Sequence, residues 1–435
     1  MSIPLVKGRI VGRPNIELTP EDAARIGAIM GTWYGPKSLV VSGRDYSPAS
    51  RMIKRAFISG LMSTGVEVMD FHEAVAGEIS YAIKRFGARG GVNVSAYPLR
   101  EDCVQLRIFT SPGHELVGKE LENIVKENTV KRVDPKDTGW VVYAEYIHEL
   151  YSSALLSVID SDAIMSRKPR VVISTGYGPS DKVLPQLLSN LGIDFISLNT
   201  MKPPVYRKLM YPLEEDIIKV SNVVRATNAD IGVVFNTDAS TILIIDDRGR
   251  ALLPEEVVAI MSLRFAKDSR VVYSKDVFGF IKNILINKGI KVVETDIIDG
   301  AMLNKTVEIR PVLGFNGVGE YIHPILSLGY DGILTMLKVL EVIAVTEKKL
   351  STILKSFTTP RYYVIETPLS LREAIEKTCR ETDYCRIYIG GCRLKLLGQN
   401  IVLTIDPVTS TTRVLIDAYA QNIEKLIQII HKTLS

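Results

Sequence analysis

The chain has 435 residues, 46% of them hydrophobic and 23% charged, with a formal net charge of +4. That length exceeds what one hydrophobic core organises, so two to four domains are expected. The small net charge, with no run of lysines or arginines interleaved with aromatics, argues against nucleic acid as a partner.

At the start Lys7, Arg9 and Arg13 have no apolar core behind them, so no signal peptide is expected and the protein reads as cytoplasmic. Glu17-Leu18-Thr19-Pro20-Glu21-Asp22 is a helix start, with Thr19 as N-cap, Pro20 at the first helical position and acids in the first turn. A strand over 38–42 ends at Gly43-Arg44-Asp45. Ser47 and Pro48 begin a helix that stops at Gly65, and a strand follows over 66–69. This alternation predicts a mainly parallel sheet covered by helices. Gly90 and Gly91 lead into an apolar run, a polar loop containing Pro98 and a second alternating run over 104–109, which together predict strand, exposed loop, strand.

A strand over 170–174, a helix over 184–191 ending at Gly192 and a strand over 195–198 begin a second unit. Leu253-Pro254-Glu255-Glu256 starts a third, with strands over 271–273 and 291–293. Its apolar stretch 326–345 is interrupted by Asp331, Lys338 and Glu341, a pattern of an amphipathic buried helix rather than a membrane span, and Asp331-Gly332-Ile333 opens that helix, which runs through Val345. Lys348-Lys349 and Thr358-Thr359-Pro360 bracket a hinge. Beyond it, strands over 361–365, 386–389, 394–397, 401–405 and 413–417 precede a terminal helix over 422–434, as in a small α+β domain. Cys379, Cys385 and Cys392 cluster there, but their gaps fit no Cys-x-x-Cys zinc pattern and no histidine lies near. Core or surface thiols are the expected reading for them and for Cys103, with one disulfide as the lesser alternative.

The stretch 90–108, Gly-Gly-Val-Asn-Val-Ser-Ala-Tyr-Pro-Leu-Arg-Glu-Asp-Cys-Val-Gln-Leu-Arg-Ile, resembles the phosphoserine loop of the phosphoglucomutase/phosphomannomutase (α-D-phosphohexomutase) family. Ser95 falls on the family threonine and Leu106-Arg107-Ile108 on its Ile-Lys-Ile, but Tyr97 stands in place of the serine nucleophile and Pro98 in place of its histidine. Gly43-Arg44-Asp45 with Ser50, Pro212 with Glu214, and Asp331-Gly332-Ile333 are further matches in the family's order. The resemblance implies an α/β fold of four domains around a central cleft, three α/β domains with mixed sheets and a C-terminal α+β domain. The boundaries expected are 1–145, 146–250, 251–357 and 358–435.

The same resemblance implies a hexose 1-phosphate to 6-phosphate exchange through a phosphoserine and one Mg²⁺, in which rate comes from positioning and charge neutralisation. Each of the four loops that serve it departs from the family pattern here. Ser95 is the one displaced candidate nucleophile, and bonding to neighbouring backbone is its plainer role. In the metal loop Asp238 survives, with Asn236 and Ser240 replacing the outer acids, so two lost charges weaken any Mg²⁺ site. In the sugar loop Asn316 and Glu320 remain as polar groups, but Val318 cannot bond a hydroxyl. The phosphate loop over 404–412 has no arginine before Arg413; Thr409, Ser410 and Arg413 are its candidate anion ligands. At the N-terminus Val11 replaces the phosphate-contacting arginine, leaving Arg9 and Arg13 as neighbours that could compensate. The expectation is a phosphosugar-binding, regulatory or structural relative that lacks the standard activity and needs no cofactor. Its partners would be a hexose phosphate, and further copies of itself or an active mutase, with no nucleic acid and no membrane. The rival expectation is a divergent Mg²⁺-dependent mutase with relocated groups.

Overall fold

The glycine pair at 90 and 91 sits where backbone must pass close to bulky side chains. A Cβ on Gly90 would lie 2.3 Å from the Tyr34 ring, and one on Gly91 would lie 2.9 Å from Ile79 and from Val41. Successive strand residues point to opposite faces, so Gly90 receives the helix Pro20–Tyr34 and Gly91 the helix Ala76–Phe86. The computed structural model describes residues 3–6, 8–201, 210–298, 300–357, 361–380, 382 and 384–434. In it the strand Gly90–Ala96 pairs in parallel with Leu39–Arg44 and antiparallel with Val104–Thr110. Glu67–Glu73 and Val141–Tyr143 extend the sheet on the parallel side, and Arg9–Gly12 and Leu5–Val6 on the antiparallel side. The short strand His114–Leu116 also pairs with Val104–Thr110. Thr19 caps its helix as its sequence implies, in a capping box with Asp22.

The second and third sheets repeat one plan. Asp194–Leu198, Arg170–Ser174 and Ile231–Phe235 run parallel, and Ile242–Ile245 closes the edge antiparallel. Lys291–Thr295, Arg270–Ser274, Leu313–Phe315 and Tyr321–Ile322 do the same. In both, the loop before the antiparallel strand carries candidate site residues, 236–241 in one and 316–320 in the other. These two loops meet: Thr241 and Glu320 form an antiparallel bridge, and Ile242 N donates to Gly319 O at 3.1 Å.

The fourth sheet is antiparallel, in the order Tyr362–Thr367, Thr411–Asp417, Gln399–Asp406, Gly391–Leu396, Tyr384–Tyr388. Helices Leu371–Cys379 and Ile423–Leu434 contribute Leu371, Ala374, Leu426 and Ile430 to its core. The sheet is joined to the third unit by Arg393, whose guanidinium makes paired bonds of 2.7 and 2.6 Å to Glu255 and one of 2.7 Å to Asp276 O. It lies 5.6 Å from the Phe278 ring centroid. Gly317 makes room for it: a Cβ there would sit 2.6 Å from Arg393 Cδ.

Two expectations are corrected, while the helix that Asp331-Gly332-Ile333 opens is present. Helix Gly332–Thr346 starts at the Asp331 cap, whose carboxylate accepts from Leu334 N at 2.8 Å, and the residues before it form loop, with Asp331 N held by Tyr321 O. Helix 184–191 starts earlier, as Ser180–Asn190. Cys379 and Cys385 are joined as a disulfide, not separate thiols, because the end of helix Leu371–Cys379 is laid over the neighbouring strand with the two Cα atoms 5.5 Å apart. Of the bracketed hinge, Thr358, Thr359 and Pro360 lie outside the described residues. No described helix is long and apolar enough to cross a membrane.

Breaking the Arg393–Glu255 pair with Arg393→Ala leaves a buried carboxylate alone, at a cost of about 3–5 kcal/mol. The double variant Arg393→Met/Glu255→Gln should recover most of it, which chemical denaturation of the two variants measures. The Asp331 carboxyl is pushed by burial up to about 6, against the pull of its bonds from Leu334 N and Tyr151. Between the unfolded value near 4 and that value the folded chain keeps a proton the unfolded chain has lost, so stability falls as pH rises through the window. Asp331→Asn retains a capping oxygen and should flatten this dependence, by on the order of 3 kcal/mol across the window; parallel stability curves for variant and wild type would refute it.

Candidate functional site

The strand pair Gly90–Ala96 and Val104–Thr110 presents Ser95, Gln105 and Arg107 together, since Ser95 lies opposite Gln105 and Arg107 is two residues on. All three are buried. Ser95 Oγ donates to Asp238 Oδ2 at 3.0 Å, and Gln105 Nε2 donates to Ser95 Oγ at 3.1 Å. The other Asp238 oxygen accepts from Asn236 Nδ2 at 2.7 Å, Ser240 N at 3.1 Å and Ser240 Oγ at 2.5 Å. Arg107 Nε lies 3.3 Å from Asp238 Oδ2. The remaining Arg107 nitrogens face Glu115 and Glu320, each at 3.7 Å, and the guanidinium sits 5.8 Å from the Tyr330 ring centroid.

The cluster extends into all four units. Arg9 binds Glu115 at 2.7 Å and faces Glu320 at 3.7 Å; Arg386, from the fourth sheet, reaches Glu320 at 3.2 Å; Asn316 donates to Glu320 at 2.7 Å. Three arginines, Arg9, Arg107 and Arg386, therefore share three carboxylates, Glu115, Asp238 and Glu320. Burial pushes the Asp238 and Glu320 carboxyls up. Arg107 with the Ser240 and Asn236 bonds outweighs this at Asp238, and Arg386, Arg9 and Arg107 outweigh it at Glu320, so both stay below their ordinary range. Burial works against the charge on Arg9 and Arg107 as well, and the same carboxylates raise both. The cluster is charge-balanced, and Arg107 Nε and Nη1 meet its carboxylates as ion-pair contacts rather than as hydrogen bonds among the described residues.

Beside it lies a cavity of about 20 Å³, lined by Arg9, Ser274, Asn316, Tyr330 and Arg386 among others. That is room for roughly one water and not for a sugar.

Mg²⁺ does not fit the residues of the 236–241 loop. Both Asp238 oxygens already accept from donors, and the guanidinium of Arg107 supplies the positive charge that a cation would bring. Asn236 Oδ1 is taken by Thr241 N at 3.0 Å. A divalent ion here would be repelled by Arg107 and would have to displace several hydrogen bonds.

Of the residues singled out in the sequence, Ser95, Asp238, Asn236, Ser240, Asn316, Glu320 and Arg9 are brought together. Tyr97 is placed differently: it is buried in a small apolar cluster with Val11 and Cys103, and its N donates to Cys103 O at 2.9 Å. Tyr97 and Val11 thus pack on each other. Arg13 turns outward to Glu17 at 3.3 Å. Thr409 and Ser410 form an exposed hairpin turn, and Arg413 pairs with Glu366 at 3.0 Å and with Asp406. Among the described residues none of these four reaches the cluster. Gln105, Arg107, Glu115 and Arg386 were not singled out as site residues. Polar Gln105 and Arg107 at alternate positions of a strand buried on both faces were a readable signal; Glu115 and Arg386 had none, their partners being distant in sequence.

Models of phosphoglucomutase/phosphomannomutase α/β/α domains I, II and III match residues 7–132, 144–249 and 254–360. The chain belongs to the phosphoglucomutase/phosphomannomutase family. It is 31% identical to a phosphoglucomutase/phosphomannomutase of Thermococcus kodakarensis, over 82% of this chain and 80% of that protein. It is 30% identical to a probable phosphoglucosamine mutase of Pyrococcus furiosus, over 76% and 73%. The fold matches that of a putative phosphomannomutase from Thermus thermophilus with a TM-score of 0.78, covering 98% and 99% of the two chains at 17% identity. The four-unit phosphohexomutase architecture expected from the sequence is therefore the one present.

Because Arg107 supplies the charge partner of Asp238, neither Mg²⁺ nor a chelator should change the melting temperature of the wild-type chain. Arg107→Ala should lose about 3–5 kcal/mol through the unpaired buried carboxylates and should regain part of it with Mg²⁺. A Mg²⁺-dependent rise in the wild type would contradict this reading.

Proposed function

We propose that this member of the phosphohexomutase family binds a hexose phosphate as a regulatory or structural protein and does not carry out the family's phosphoserine exchange. The observation that carries this reading is the Arg107–Asp238 pair: the one remaining acid of the metal loop is committed to a protein cation and to hydrogen bonds on both oxygens. Phosphoryl transfer depends on charge neutralisation around the moving group, so an acid already neutralised contributes little to it.

The nucleophile supports the same reading. Tyr97 is packed against Val11 and Cys103. Ser95 lies two residues earlier in the chain, a displacement of about 7 Å in extended backbone, and has no solvent exposure. A phosphate delivered to the usual position would not meet its oxygen.

Binding is supported by the arginines at the small cavity. Arg9 and Arg386 both face Glu320 there, and a phosphate can replace a carboxylate as their partner with similar bidentate geometry. The cavity holds about 20 Å³, so a hexose phosphate requires the fourth unit to move off the third. The names of the relatives support glucose, mannose or glucosamine phosphates as the substrate class.

A divergent mutase is favoured by one observation, the Ser95 hydroxyl bonded to a buried carboxylate at 3.0 Å. The two readings separate in one set of assays. With glucose 1-phosphate or mannose 1-phosphate, Mg²⁺ and a bisphosphate activator, no turnover is expected. Hexose 6-phosphates should raise the melting temperature of the wild type and have a smaller effect on Arg386→Ala. Turnover that disappears in Ser95→Ala would establish the mutase reading instead; no thermal response to any hexose phosphate would leave a structural role without ligand.

A further inference from the structure

Three of the four cysteines meet on the outer face of the fourth sheet, away from the arginine–carboxylate cluster. Cys379 ends the helix Leu371–Cys379, Cys385 lies on Tyr384–Tyr388 and Cys392 on Gly391–Leu396. In the hairpin register Cys385 is opposite Leu394 and Cys392 opposite Ile387, which puts both cysteines on one face. Arg386 and Arg393, paired across the same hairpin, point to the other face and reach the third unit. The helix then lays Cys379 on the cysteine face. All three sulfurs lie within 4.8 Å of one another, with Cys392 Sγ 3.0 Å from Cys385 Sγ and 3.5 Å from Cys379 Sγ.

We propose that Cys379, Cys385 and Cys392 form a three-thiolate site for a borderline-to-soft cation of the Zn²⁺ class, loaded when the Cys379–Cys385 bond is reduced. A cross-link needs two sulfurs, and the fold converges three from separate elements onto one point. Sulfurs bound to one tetrahedral zinc at about 2.3 Å lie about 3.8 Å apart. Cys392 is already close to that distance from both others, and opening one S–S bond supplies the rest. Among the described residues no carboxylate or histidine joins the group, and a set of three sulfur donors selects soft or borderline d¹⁰ ions over Mg²⁺ or Ca²⁺. Cys392 is fully buried while Cys379 and Cys385 are half-buried, so the ion would enter from the Cys379 and Cys385 side, with water in the fourth position.

The chemistry balances with a dithiol as reductant. The dithiol gives two electrons and two protons to the Cys379–Cys385 bond and becomes a cyclic disulfide; the three cysteine thiols then release three protons as one divalent ion binds. Oxidation reverses both steps and expels the ion. The site would therefore be either cross-linked or metal-bound, and either state ties the helix Leu371–Cys379 to the hairpin.

The test uses the full chain, reduced with a dithiol, freed of small molecules without air and titrated with Zn²⁺, and with Co²⁺ as the optical probe. One equivalent is expected, with a thiolate-to-cobalt charge-transfer band, and it should be released when a thiol oxidant restores the disulfide. Cys392→Ala and Cys379→Ala should each lose the band, whereas Cys103→Ala should keep it. X-ray absorption on the loaded wild type counts sulfur ligands without relying on any variant, and three are expected. No uptake by the reduced chain, uptake that survives Cys392→Ala, or a shell of oxygen and nitrogen alone would overturn the proposal.

Discussion

The meeting of Arg107 with Asp238, Glu115 and Glu320 is the constraint on which the rest of this molecule depends. Each partner comes from a different loop or strand, and with Arg386 every one of the four units contributes a charge. Buried charges are costly unless paired, and pairs formed across units hold those units in register. The closed arrangement of the four sheets and the charge balance of their junction are thus one fact. At this junction the loops 236–241 and 316–320 hold one another directly.

How the loops arrive there follows from repetition. In the second and third sheets the antiparallel edge strand follows a third parallel strand, and the intervening loop emerges at the same end. The first sheet does the same between Gly90–Ala96 and Val104–Thr110. A shared topology therefore converges three loops on one place whatever residues they carry. The chemistry of the place is decided by those residues. Tyr97 packs on Val11 in an apolar cluster, and Arg107 sets its guanidinium charge against Asp238.

Much of the fold was legible in local pattern. The capping box at Thr19, the glycine pair at 90 and 91, the helix starting at Pro254 and the strand Arg170–Ser174 lie where short-range rules put them. The helix Leu371–Cys379 carries a readable start signal, a capping box of Ser370 at the N-cap with Glu373 in the first turn. Within the apolar stretch 326–345 the helix start is marked by the Asp331 cap, which Asp331-Gly332-Ile333 shows in the sequence. Of the candidate site, residues on matched motifs, Ser95, Asp238, Asn316 and Glu320, were found, because a motif is local.

By itself, then, the sequence determined the family and the four-unit plan, since each is written in contiguous residues. Tertiary structure alone decided which residues meet where those units join. That Arg107 neutralises Asp238, that Arg386 reaches Glu320 across the fourth unit, that Arg13 and Arg413 turn away and that three cysteines share one point all depend on contacts between residues far apart in the chain. Charge pairing and burial are properties of position in space, and no local pattern encodes them.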